Sequence, residues 1–383
     1  MSIRPPRIAV ACSGLGHIQR GIESWAFDLA QGLRAAGQDV TLFGGAPGVG
    51  IRPVRCLRRT DRAAIGLARA LRHVGGWRYG AASPYEVEQT SFSIALWPLV
   101  RSFDLLHVQD PAIARWFERA RRLGLSRPRV IYANGTGEGA DVMRRFSYLQ
   151  LLTQGAADAW AGQRPAGQSV FTIPNFIDTR RFSPGDKLRA RRGFGLPESA
   201  TIILCCAAIR RYHKRIDYLL DEFETFVARG GQDAILVIAG GREDDTDELI
   251  LAGQHMLGDR VRFLPNLPRE QMPDLYRAAD MFTLTSLHEM FGIVLLEAMA
   301  SGLPVVCNDT ADFRSIVGNG GIFRPLADSG ALAAGLAAFA DVPWRQTLGQ
   351  AARARVERTF SAQTVIGDII RMYGSVMAEK HNG

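Results

Sequence analysis

Short apolar runs and longer stretches of helical periodicity alternate along almost the whole chain. Ile8 to Cys12, Val40 to Phe43, Leu105 to Val108 and Val130 to Ala133 are apolar nearly throughout, as in strands buried on both faces of a parallel sheet. A second series, Thr201 to Ala208, Ala234 to Gly240, Val261 to Pro265, the run ending at Ser286 and Val305 to Cys307, repeats the pattern. Between them residues 24–36, the face Leu219, Leu220, Phe223, Phe226 and Val227, then Met272 to Ala279 and Ile293 to Ala300 read as helices. The last of these stops at Ser301-Gly302, where a glycine can take a left-handed cap. Trp344 to Met377 is mostly helical with a break near Thr359 to Ala362, and there is no internal repeat. The alternation predicts an α/β protein of doubly wound parallel sheets.

At 383 residues the chain exceeds one ordinary core. The proline-bounded stretch from Ile173-Pro174-Asn175 to Pro184 reads as a linker, so the expected division is 1–174, 175–360 and a C-terminal helix, 361–383, packing back on the first domain. Five cysteines without C-x-x-C spacing argue against a disulfide or zinc framework and fit a reducing cytoplasm. No run approaches the roughly 20 apolar residues that span a bilayer. The expected location is therefore cytoplasmic, with peripheral association at the inner face of the membrane kept open.

Charge is unevenly placed along the chain. Residues 1–174 hold 22 Arg against 12 acidic residues, net +10, while the remainder holds 24 basic and 26 acidic residues, net −2. The densest part, 52–78 (Arg52, Arg55, Arg58, Arg59, Arg62, Arg69, Arg72, Arg78), could face anionic lipid or an acidic acceptor, or simply decorate a solvated face. No zinc-finger, RNA-recognition or helix-turn-helix signature accompanies it, so no nucleic-acid partner is expected.

The candidate chemistry centres on Asp280 to Asp309, which reads as strand, loop, helix, strand. Gly292 falls where the helix begins, and unpaired N–H groups of a first helical turn attract phosphate. Glu289 before the helix and Glu297 within it can accept hydrogen bonds from sugar hydroxyls. A phosphate flanked by two polyols is the outline of a nucleotide-sugar. The loop Arg210-Arg211-Tyr212-His213-Lys214-Arg215 follows another strand of the same half, so its four cations could face one diphosphate. Leu264, at the end of its strand, could offer backbone groups to a base.

In the first half, the loop Ser13-Gly14-Leu15-Gly16-His17 follows the first strand, and Gly14, Gly16 and Gly21 miss the G-x-G-x-x-G spacing. Polar residues also end later strands: Gln109, Asp110, Asn134 and Glu138 become acceptor-side candidates. His17 is a possible base or acceptor contact. His107, inside a strand, fits a core histidine better.

These residues resemble the retaining glycosyltransferases of family 4, with the two-domain GT-B fold, over nearly the whole chain. The resemblance rests on Glu289 and Glu297 in E-x7-E spacing, Phe291-Gly292-Ile293-Val294 between them, the run Glu297 to Val306, the 173–184 linker and His213-Lys214-Arg215. It implies two Rossmann-like domains facing a cleft, with Glu297 on the ribose, Glu289 on the transferred sugar, and Lys214 with Arg210 or Arg211 on the diphosphate. Phe291, Gly292, Ile293 and Val294 would meet phosphate and sugar through the backbone, and Gly21 would also touch the donor. Asn134, His17 and Glu138 fall on the acceptor side. The implied reaction moves a hexose-type sugar from a nucleoside-diphosphate-sugar to a hydroxyl of a glycan, lipid-linked or small-molecule acceptor, with front-face attack. No metal and no cofactor beyond the donor is implied.

The chain departs from the family at four places: Arg20-Gly21 replaces a glycine pair, Ile209 stands where an arginine is usual, Asn134 replaces a histidine and Pro265 a glycine. Gly14-Leu15-Gly16-His17 resembles inverting GT-B enzymes, so an inverting transferase or epimerase using His17 as base is the alternative.

Overall fold

A computed structural model describes residues 4–18, 20–73, 81–231 and 233–379. The chain divides into two compact units, Met1–Pro174 with Val365–Gly383 and Asn175–Thr364.

The first unit holds a seven-stranded sheet of β1 (Ile8–Cys12), β2 (Val40–Gly44), β3 (Ile51–Pro53), β4 (Leu105–Val108), β5 (Arg129–Ala133), β6 (Tyr148–Leu151) and β7 (Ser169–Thr172). Its order is β3-β2-β1-β4-β5-β6-β7, every pair parallel. β1 is buried along its whole length because helices cover both faces of such a sheet. The first helix, Gly21–Ala35, buries Trp25, Leu29 and Leu33. It begins three residues before the expected Ser24, so Gly21 is its first residue rather than part of the preceding loop.

His107 is buried with Nδ1 2.8 Å from the Tyr373 hydroxyl, and burial lowers its pKa to about 3. It is a neutral core histidine. Tyr373 lies on the last helix, Ala362–Ala378, whose Val365, Ile369 and Val376 are also buried. β3 and β6 were not legible in the apolar pattern. β3 has three residues, and β6 carries the polar Gln150, whose buried Nε2 donates to the Ile173 carbonyl at 2.9 Å.

The second unit holds β8 (Thr201–Cys206), β9 (Ala234–Gly240), β10 (Val261–Pro265), β11 (Met281–Leu284), β12 (Val305–Asn308) and β13 (Gly321–Arg324). The order is β10-β9-β8-β11-β12-β13, again all parallel. In each sheet the order reverses at one point, between β1 and β4 in the first unit and between β8 and β11 in the second. The carboxyl ends of strands at such a switch point open a crevice where ligands of open α/β sheets bind.

Candidate active site

The switch point of the second unit brings together the loop after β8 and the loop after β11. Lys214 Nζ forms an ion pair with Glu289 Oε1, with side chains 20% and 12% exposed. The Thr285 hydroxyl, fully buried, donates to the Lys214 carbonyl at 2.7 Å and ties the two loops together. His213 and Arg215, on either side of Lys214, adopt positive φ angles of 71° and 53°. Non-glycine residues there cost roughly 1 to 2 kcal/mol each, so the surroundings must hold them. Part of that hold is visible: Arg215 Nη1 donates to the Leu326 carbonyl at 2.6 Å, its guanidinium lies 3.9 Å from the Tyr218 ring centre, and its backbone N–H reaches the Arg211 carbonyl at 2.8 Å.

Gly292 caps the helix Ile293–Ala300 in the left-handed region, φ 74°. A side chain there would be strained by that backbone and would sit 3.1 Å from Leu295 Cδ1. Of the first-turn N–H groups, that of Leu295 donates to the Gly292 carbonyl at 2.9 Å, while those of Ile293 and Val294 are the ones a helix leaves without intrahelical acceptors at the positive end of its dipole. Phe291 is buried edge-on to the Phe360 ring, while Ile293 and Val294 are half-buried. Glu297 Oε2 accepts from the Tyr276 hydroxyl at 2.7 Å. Burial, with the charges of Cys206 and Glu297, pushes that phenol well above its ordinary range, so it remains the donor. Asn308 donates to the Leu287 carbonyl and accepts from the Leu326 N–H, both at 2.9 Å, and so braces the loop that carries Glu289.

The four cations of the 210–215 loop do not converge. Arg211 forks onto Glu248 at 3.0 Å through both terminal nitrogens, and Arg215 turns to Leu326. Arg210 lies against Tyr212, its Nε donating to that carbonyl at 2.7 Å. Only Lys214 meets Glu289. Ile209, where an arginine was expected, is fully buried with its N–H on the Gly241 carbonyl. Leu264 is half-buried in β10, paired with Ala239.

In the first unit the switch point is also polar. Asp110 accepts from the Ser13 N–H at 3.1 Å and the Tyr85 hydroxyl at 2.9 Å. His17 Nε2 lies 3.1 Å from Glu88, and Arg59 forks onto the same carboxylate. Arg59 is thereby drawn out of the basic 52–78 stretch; Arg52, Arg62, Arg69 and Arg72 are exposed, and Arg78 lies outside the described residues. Asn134 is consumed by its own loop: Oδ1 accepts from the Glu138 N–H at 3.0 Å, and Nδ2 faces the Met143 sulfur. Gly21 is exposed with open space around it.

Residues 186–355 match the family model described as glycosyl transferases group 1. The second unit is a group 1 glycosyl transferase domain. D-inositol 3-phosphate glycosyltransferase 2 of Catenulispora acidiphila is 33% identical to this chain over 186 residues, covering 46% of this chain and 43% of the relative. The chain spans about half the length of the curated relatives it matches. Among solved structures, sucrose-phosphate synthase from Thermosynechococcus elongatus superposes with a TM-score of 0.77 at 20% identity, covering 97% of this chain and 99% of that one. HepE of Anabaena, solved in complex with UDP-glucose, gives 0.74 at 16% identity, covering 97% and 100%. These likenesses give the chain the GT-B fold of two parallel-sheet units.

Within the group 1 domain, Thr285, Tyr276 and Asn308 hold the named residues yet were not singled out from sequence. A buried threonine, tyrosine or asparagine near a strand end carries no spacing signal of its own. Glu88 in the other unit escaped for the same reason, and Arg59 was read only as part of the basic 52–78 stretch, the two being 29 residues apart and joined only by the fold.

Burial and the neighbouring Asp110 raise the Glu23 carboxyl from its ordinary 4.5 to about 7. A carboxyl whose folded pKa is raised takes stability away as pH climbs between those two values. Glu23→Gln is therefore expected to flatten the decline in melting temperature between about pH 5 and pH 8, with a gain on the order of 1 to 3 kcal/mol at the upper end. Profiles of wild type and variant that run parallel would contradict this.

Proposed function

We propose that the protein is a retaining glycosyltransferase that moves a hexose-type sugar from a nucleoside-diphosphate-sugar to an acceptor hydroxyl, without a metal. The observation that carries the reading is the Lys214–Glu289 pair standing at the switch point of the group 1 domain, where Gly292 begins its helix. Breaking the anomeric bond leaves negative charge on the diphosphate and positive charge on the sugar. Lys214 and the first-turn N–H groups stabilise the former; the Glu289 carboxylate stabilises the latter. Glu297, oriented by Tyr276, takes the ribose hydroxyls. In the front-face course the acceptor hydroxyl attacks from the side the diphosphate leaves, and the departing phosphate oxygen receives its proton.

HepE was solved with UDP-glucose, which makes that donor the first to test. The curated relative is named for an inositol phosphate acceptor, in keeping with transfer to a hydroxyl on a small polyol; a glycan or lipid-linked acceptor belongs to the same chemistry. No helix among the described residues is long and apolar enough to cross a membrane. The reading keeps the protein cytoplasmic, with Arg52, Arg62, Arg69 and Arg72 meeting anionic lipid at the inner face.

The paired His17 and Glu88 favour one second reading, an inverting reaction with His17 as base. Product stereochemistry followed by NMR separates the two: retention at the anomeric carbon is expected, and inversion would overturn the retaining mechanism. Lys214→Ala should lower turnover by about 10² to 10³. Glu297→Ala should weaken UDP binding about tenfold, read by calorimetry, and unchanged affinity would refute the ribose role. Reversing Arg62, Arg69 and Arg72 to glutamate should abolish sedimentation with anionic liposomes; if wild type fails to sediment, the membrane contact falls.

A further inference from the structure

Glu88 lies on the helix Pro84–Leu96, fully buried at the first unit's switch point, and four neighbouring groups converge on it. The Ser13 hydroxyl donates at 3.0 Å, the Arg59 backbone N–H at 2.7 Å, and the Arg59 guanidinium at 3.1 Å from Nε and 2.6 Å from Nη2. His17 Nε2 completes the set at 3.1 Å. Burial works against ionisation here, yet the hydrogen bonds from Arg59 outweigh it and hold Glu88 below the usual carboxylate range.

An ionised carboxylate only accepts, so the proton of a neutral His17 ring sits on Nε2 and Nδ1 is left as a bare lone pair. Nδ1 is buried and has no partner among the described residues. Glu23 Oε2, close by on the helix Gly21–Ala35, is likewise buried and unpartnered. A buried acceptor without a donor is costly, and a ligand hydroxyl removes that cost. The charges around it select among ligands. An anion would meet the ionised Glu88, and of the nearby cations Arg59 is already forked on that carboxylate while Arg20 acts on Glu23. A neutral hydroxyl meets no such repulsion.

We propose that Glu88 is a positioning residue that holds His17 as the Nε2–H tautomer and offers its Nδ1 lone pair to a hydroxyl of a sugar acceptor that is neutral at that end. The acceptor part rests on the transferase reading above; the tautomer part does not. A hydroxyl has one proton, so in a retaining reaction the one held by Nδ1 is a neighbour of the attacking hydroxyl, whose own proton leaves with the phosphate.

The test uses the full chain labelled with ¹⁵N-histidine, with His17 assigned by its loss in a variant. Wild type is expected to show His17 protonated at Nε2 alone, and Glu88→Gln, whose amide can donate to that nitrogen, should move the proton to Nδ1. A wild-type proton on Nδ1, or an unchanged tautomer in Glu88→Gln, would overturn the proposal. Hydrolysis of UDP-glucose, with water as the smallest hydroxyl acceptor, supplies the second reading. His17→Asn keeps an acceptor near Nδ1 and should stay within about threefold of wild type, whereas His17→Gln keeps only the Nε2 side and should fall about tenfold. The reverse order would refute the Nδ1 role. UDP affinity should be unchanged throughout. Absence of hydrolysis by wild type would count against the transferase reading, while the tautomer, measured without substrate, still decides the role of Glu88.

Discussion

Every strand in both sheets pairs in parallel, and that constraint determines where chemistry can sit. Parallel strands deliver all their carboxyl ends to one edge, and the covering helices start from that same edge. Reversal of strand order leaves one crevice per sheet, and buried or half-buried polar side chains meet at each. In the second unit that crevice holds Lys214 and Glu289; in the first it holds Asp110, Glu88, Arg59 and His17.

The two crevices differ in physical character. That of the second unit pairs one cation with one carboxylate beside the positive end of a short helix, an arrangement able to receive a diphosphate and a sugar together. Local strain is stored there as well, at His213 and Arg215; the third non-glycine residue with positive φ among those described, Asn266, follows the edge strand β10. That of the first unit instead pairs Arg59 with two carboxylates, Glu88 and Glu23, near Asp110, and leaves unsatisfied two acceptor positions, Glu23 Oε2 and His17 Nδ1, and one donor, Gln109 Nε2. A hydroxyl, which both donates and accepts, suits such a wall.

Much of this was legible in sequence where the signal was local. The helix Ile293–Ala300, its glycine cap and the strands β9 and β10 follow directly from apolar runs and breakers, and their observed limits coincide with the expected ones. What escaped was pairing across the fold. Nothing in the order of residues says that Arg211 will fork onto Glu248 rather than join Lys214, because that choice depends on the helix Thr246–Leu257 arriving beside the loop. Nor does it say that Arg59, one arginine in a basic run, will turn inward to a glutamate on a later helix. Spacing exposes residues that share an element; it is silent on partners supplied by another.

The most direct measurement is a crystal structure of the full chain with UDP. The diphosphate is expected within hydrogen-bond distance of the backbone N–H groups of Ile293 and Val294, the ribose on Glu297, and Lys214 Nζ turned from Glu289 to a phosphate oxygen. UDP bound elsewhere, for example in the cavity of about 420 Å³ lined by Lys187, Arg277, Arg345 and Arg353, with the Lys214–Glu289 pair intact, would contradict this.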